Sequence, residues 1–177
     1  KVEQDNMTLY AGWRWSQSHT EIGVVRTQAA NEDAVDAGEY GEGLRMGDTV
    51  TITAQATLTE EPSQTNTWSA DPETFKFYLG DPDSGGKLLD EKAADQTGEN
   101  TYTAELKVAL TRENGFDPDG TNEVYAVFSG GDGLDSSRAG VSLNIGKAMF
   151  TVTFSDTGDD KIDNQYVEDG QTASRPS

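Results

Sequence analysis

No cysteine occurs among the 177 residues. Disulfide scaffolds, thiol catalysis and zinc–thiolate sites are thereby excluded. A single histidine, His19, rules out multi-histidine metal sites and weakens any histidine-dependent hydrolase. Basic residues are also scarce: 13 Lys and Arg stand against 32 Asp and Glu, a formal charge of −19. A surface of that sign repels phosphate backbones and anionic headgroups, so neither nucleic acid nor a membrane surface is an expected partner. No apolar run reaches the ~18 residues that cross a bilayer, and no basic start followed by an apolar stretch marks a secretory signal. The chain begins in mid-pattern and reads as a piece of a larger protein. Hydrophobic residues make up only 33%. That supply suits a thin β-sandwich and is poor for an enzyme with deep layers. At ~100–200 residues per domain, the length suggests one domain with partial neighbours.

What is present is alternation. Thr49 to Leu58 places Val50, Ile52, Ala54, Ala56 and Leu58 on one face, the clearest half-buried strand in the chain. Thr74 to Leu79 repeats the rule through Phe75, Phe77 and Leu79. Thr101 to Leu110 does so through Tyr102, Ala104, Leu106, Val108 and Leu110. Glu123 to Phe128 is apolar on both faces and reads as a central strand. Val141, Leu143 and Ile145 alternate, as do Phe150, Val152 and Phe154. Turn residues separate these runs at Glu61–Ser63, Asp81–Gly86, Asp117–Gly120 and Ser129–Gly133. No helical stripe exceeds two turns; 29–40 and 88–95 are each expected to hold at most a short helical turn. Many short strands between turn signals predict an all-β sandwich.

Two resemblances follow from these residues. Gly47 to Ala54, Thr74 to Tyr78, and Asn122 to Gly133 with Val141-Ser142-Leu143 appear in the order of motifs of a bacterial immunoglobulin-like repeat domain, and the middle of the chain resembles that family. The stretch from Ala29 to Leu44 departs from its compact pattern. The ends resemble the internalin B-repeat (Listeria–Bacteroides repeat). Phe150 to Gly158 is similar to its opening, Tyr166 to Pro176 to its continuation, and Asp5 to Trp13 to its close. The middle of that repeat is missing. The resemblance implies a tail of one repeat at 1–14, an immunoglobulin-like β-sandwich at 15–147, and the start of a following B-repeat at 148–177. It also implies a tandem extracellular protein, on the bacterial cell surface or secreted, whose modules serve as stalks, adhesive units or spacers beside enzymes. Expected partners are then neighbouring repeats of the same chain and a host glycan or matrix protein.

Four chemistries are candidates, each beside a plainer reading. Asp117, Asp119, Asn122 and Glu123 lie within seven residues and form a candidate calcium loop, since calcium takes six to eight oxygens. Asp81 and Asp83, and Asp156, Asp159, Asp160 and Asp163, are lesser clusters. Asp and Asn also gather in turns for backbone reasons alone. Trp68, in a polar stretch, and Trp15, next to the B-repeat's closing Trp13, are candidate glycan platforms, with Tyr40, Tyr78, Tyr102 and Tyr125 as companions; surface or edge packing is the plainer reading. A glycosidase needs two carboxyls about 5–10 Å apart around a cleft, and no motif selects a pair among the acids. An isopeptide crosslink would draw on Lys76, Lys107 or Lys147 with Asn144, although strand lysines ordinarily face solvent and keep sheet edges soluble. The expectation is a non-catalytic stalk, spacer or adhesive module. The alternative is a glycan-binding or accessory module of a large secreted carbohydrate-active enzyme.

Overall fold

The computed structural model describes residues 17–59, 73–130, 134–155 and 162–175. Residues 1–14, Trp15, Trp68, the Glu61–Ser63 turn, and Asp156, Asp159 and Asp160 lie outside the described residues. The strands among the described residues are β1 (Ser18–Gln28), β2 (Leu44–Arg45), β3 (Thr49–Leu58), β4 (Thr74–Leu79), β5 (Lys87–Ala93), β6 (Asp95–Gly98), β7 (Thr101–Ala109), β8 (Asn122–Phe128), β9 (Ser137–Leu143), β10 (Ile145–Gly146), β11 (Met149–Val152) and β12 (Gln165–Glu168). One short helix, α1 (Glu32–Asp36), stands between β1 and β2.

Two four-stranded antiparallel sheets, ordered β1-β3-β7-β6 and β5-β4-β8-β9, pack face to face as an all-β sandwich. Side-chain alternation determines which residues form the core. Val50, Ile52, Ala54 and Ala56 from one sheet meet Phe75, Phe77, Val124, Ala126 and Phe128 from the other, all fully buried. Their register is set across strands, with Ile52 opposite Leu106 and Phe75 opposite Phe128. The Phe75 and Phe128 rings lie 5.2 Å apart, and Tyr102 reaches Phe128 from the facing sheet at 5.5 Å. Burying each large side chain stabilises the fold by about 1.5–3 kcal/mol.

β3, β4, β7 and β8 match the alternation read from the sequence, and β8 is an inner strand as its composition predicts. The stretch 88–95 is different: it is not helical but forms most of edge strand β5 and the start of β6. Pairing with β4, Thr74 to Ala93 through Leu79 to Lys87, overrides the weak local tendency to turn. The helical turn within 29–40 is present as α1, capped by Asn31, whose side chain accepts the Ala34 N–H at 3.0 Å.

β1 and β9 close one side of the sandwich. Ser18 Oγ donates to the Asp135 carbonyl and is hydrogen-bonded to Ser137 Oγ, both at 2.7 Å, so the two strands start at the same pole. At the other pole Gln28 lies opposite Thr49, and β10 pairs in parallel with β2. There the chain leaves the sandwich through Lys147 and Ala148 and forms a separate antiparallel hairpin of β11 and β12.

Candidate functional site

The stretch from Ala29 to Leu44, which fits no strand pattern, builds a collar at the pole where the chain exits. Its anchor is Asp48, a fully buried carboxylate just ahead of β3. A buried charge is tolerable only when it is paired and hydrogen-bonded. Asp48 Oδ1 accepts from the Ala30 N–H at 2.9 Å and from the Tyr40 hydroxyl, and Oδ2 accepts from the Arg45 N–H at 2.8 Å. Arg26, at the last inward position of β1, brings its guanidinium to 3.8 Å. The Tyr40 ring, 1% exposed, has Arg26 at 5.3 Å and Arg45 at 5.4 Å from its centre. Burial, reinforced by the bond to Asp48, pushes the Tyr40 hydroxyl up to about 12. The collar also requires Gly47: its φ is +92°, and a Cβ there would lie 2.8 Å from Ala30 Cβ.

The collar holds the hairpin. Met149 is buried beside Ala29, Ala34 and Tyr40, and Tyr166 packs against them. Asn31 works in two directions. Its Oδ1 caps α1, while its Nδ2 donates to the Met149 carbonyl at 3.2 Å and to Thr151 Oγ1 at 3.0 Å. Arg45 does likewise. Its Nε donates to the Tyr40 carbonyl at 2.8 Å, and its Nη1 donates to the Lys147 carbonyl at 3.3 Å and to Glu168 Oε1 at 2.6 Å. The Asp169 N–H donates to the Ala148 carbonyl at 2.8 Å and closes the mouth of the hairpin. A shallow cleft of about 380 Å³, lined by Ala37, Glu39, Gln165, Tyr166 and Ser174 among others, lies where collar and hairpin meet. A small apolar cluster and paired polar groups together seat the hairpin on the collar.

The structure does not converge the calcium candidates on one point. Asn122, 3% exposed, spends its amide on the turn: Oδ1 accepts the Asp117 N–H at 2.9 Å, and Nδ2 donates to the Asp117 carbonyl at 2.7 Å. Asp117 Oδ1 accepts from Asp119 N–H and faces Arg112 at 3.4 Å. Glu123 lies on β8, where it accepts from Tyr125 and Ser142. Asp81 and Asp83 are paired with Arg138 at 3.1 and 2.7 Å. Among the described residues no group of three or more His, Asp or Glu side chains is arranged to hold a metal ion.

Of the tyrosines, Tyr40 and Tyr102 are packing residues, as their contacts above show. Tyr78 and Tyr125 are brought together as directly opposed neighbours on β4 and β8. The Tyr125 ring lies against Gly140, where a Cβ would come within 2.6 Å of it, and the Arg138 guanidinium sits over it at 5.9 Å. Desolvation, then Glu123 and Asp81, raise the Tyr125 hydroxyl above its usual range. Among the crosslink candidates, Lys76 faces Glu91 at 3.9 Å, and Lys107 and Asn144 are exposed. The joint residues Asn31, Arg45, Asp48 and Glu168 were not legible as a site. Arg45 and Glu168 alone are 123 positions apart, and no spacing or alternation connects the four. The one local signal is the capping Asn31 ahead of α1.

The chain matches no family model and no curated protein.

Proposed function

We propose that the chain is a non-catalytic module of a bacterial cell-surface or secreted multidomain protein and serves as a stiff spacer in a stalk. The hairpin seated on the collar is the observation that carries this reading. Only Lys147 and Ala148 separate β10 from β11, and both polar staples, Asn31 and Arg45, reach across that junction. A linker of two residues with its flanks bonded holds orientation, whereas a flexible coil would not. The excess of acid, 32 against 13 basic residues, favours a solvated, self-repelling surface along an extended array. The resemblance of the two chain regions to immunoglobulin-like and B-repeat modules supports an extracellular setting.

The discriminating experiment is a screen of the full chain on an array of glycans and host-matrix proteins, with and without calcium. Silence under both conditions is the expected result for a spacer. Reproducible binding abolished by Trp68→Ala or Tyr78→Ala would overturn it in favour of an adhesive or glycan-binding module, and binding seen only with calcium would bring the Asp117–Glu123 loop forward.

A further inference from the structure

We infer that the chain yields to tension in two separate steps: the C-terminal hairpin opens at low force, and the sandwich holds to a much higher one. The biological use of this behaviour rests on the stalk reading; the mechanics rest on topology alone. β1 enters at one pole and runs beside β9 to the other, where the chain leaves through β10. Tension applied before Ser18 and after Ala148 therefore pulls β1 along its own axis. Its partner β3 is matched over ten residue pairs, from Ser18 opposite Leu58 to Gln28 opposite Thr49. Antiparallel bonds stand perpendicular to the strands. They are loaded together in shear, and β1 comes free only when the whole ladder fails.

The hairpin is loaded the other way. Met149 and Glu168 are opposed at its open end, where the chain enters and leaves. Tension there separates the strands one pair at a time. The Asp169–Ala148 and Arg45–Glu168 bonds, at the mouth, are the first to take the load. Among the described residues Asn31 bonds β11, through Met149 and Thr151, and not β12, which is held to the collar by Glu168 and the packing of Tyr166. Opening residues 149–168 frees about 65–70 Å of chain at ~3.3–3.6 Å per residue. Opening residues 18–148 frees about 400 Å by the same measure after subtracting the folded length. Such a module would give way by a short, recoverable extension before its fold is lost, which suits a tether under fluctuating load.

Single-molecule pulling on the full chain, held by handles at its two ends, tests this. Two steps are expected: a short one of about 65–70 Å at low force that refolds on relaxation, then one of about 400 Å at higher force. Glu168→Gln, which lies outside the sandwich, should lower the force of the first step and leave the second unchanged. A single cooperative step, a long step preceding the short one, or a first step unmoved by Glu168→Gln would overturn the inference. A two-step trace from a chain that also binds a glycan array would refute the spacer reading and leave the mechanics intact.

Discussion

Removal of the Asp48 carboxylate is the most informative single perturbation of the collar. Asp48→Ala leaves the Ala30 and Arg45 N–H groups and the Tyr40 hydroxyl without their acceptor, and the half-buried Arg26 without its counter-charge, around a position that is itself fully buried. Each orphaned donor costs about 1–3 kcal/mol, and breaking one side of a buried ionic arrangement costs about 3–5 kcal/mol in total. For a chain of this size that corresponds to a fall in Tm of roughly 6–20 °C. Asp48→Asn keeps the shape but turns one acceptor into a donor facing a donor, so about 2–4 kcal/mol of loss is expected. Thermal melts followed by circular dichroism at neutral pH measure both, with Glu42→Ala, an exposed collar acid, as a control expected to shift stability by less than about 0.5 kcal/mol. If Asp48→Ala melts no lower than the control, the carboxylate does not anchor the collar and the reasoning fails.

Gly140→Val should cost about 1–3 kcal/mol in urea unfolding, because its side chain would displace the Tyr125 ring; an unchanged midpoint would show that the ring moves freely. Asn122→Ala should lose about 1–3 kcal/mol by stripping the buried bonds to Asp117, and added calcium should not raise the wild-type Tm, since a bound ion would stabilise the fold by mass action. The raised Tyr40 hydroxyl sets an alkaline limit. The folded state keeps that proton while the unfolded chain loses it near pH 10, so the stabilisation is whole below pH 10 and is lost as pH rises toward about 12. Unfolding followed across that window should show stability falling with pH, and Tyr40→Phe should flatten the fall.

Much of the sandwich was legible because one buried face imposes a period of two. Val50, Ile52, Ala54 and Ala56 announce β3, and Phe75 with Phe77 announce β4. β1 escaped notice because its inward row is Thr20, Ile22, Val24 and Arg26, polar at both ends, while Val25 faces outward at 65% exposure. β5 escaped because an edge strand needs only one buried flank, and its two leucines are adjacent. The joint was illegible for a different reason. Arg26, Asn31, Arg45, Asp48 and Glu168 each look like an ordinary surface residue in sequence. They become a site only when β1, the collar and β12 converge at one pole, a long-range event that no local period encodes.

Whether the hairpin is fixed to the sandwich is the central question, and the absence of cysteine makes it directly measurable. Glu105 and Thr153, both exposed, replaced by cysteine and spin-labelled, report the distance between β7 and the end of β11 by electron double resonance. A single narrow distribution is expected, broadening when Asn31→Ala and Arg45→Ala are combined in the same chain. A broad distribution in the otherwise unaltered chain would contradict a fixed joint and, with it, the stiff spacer.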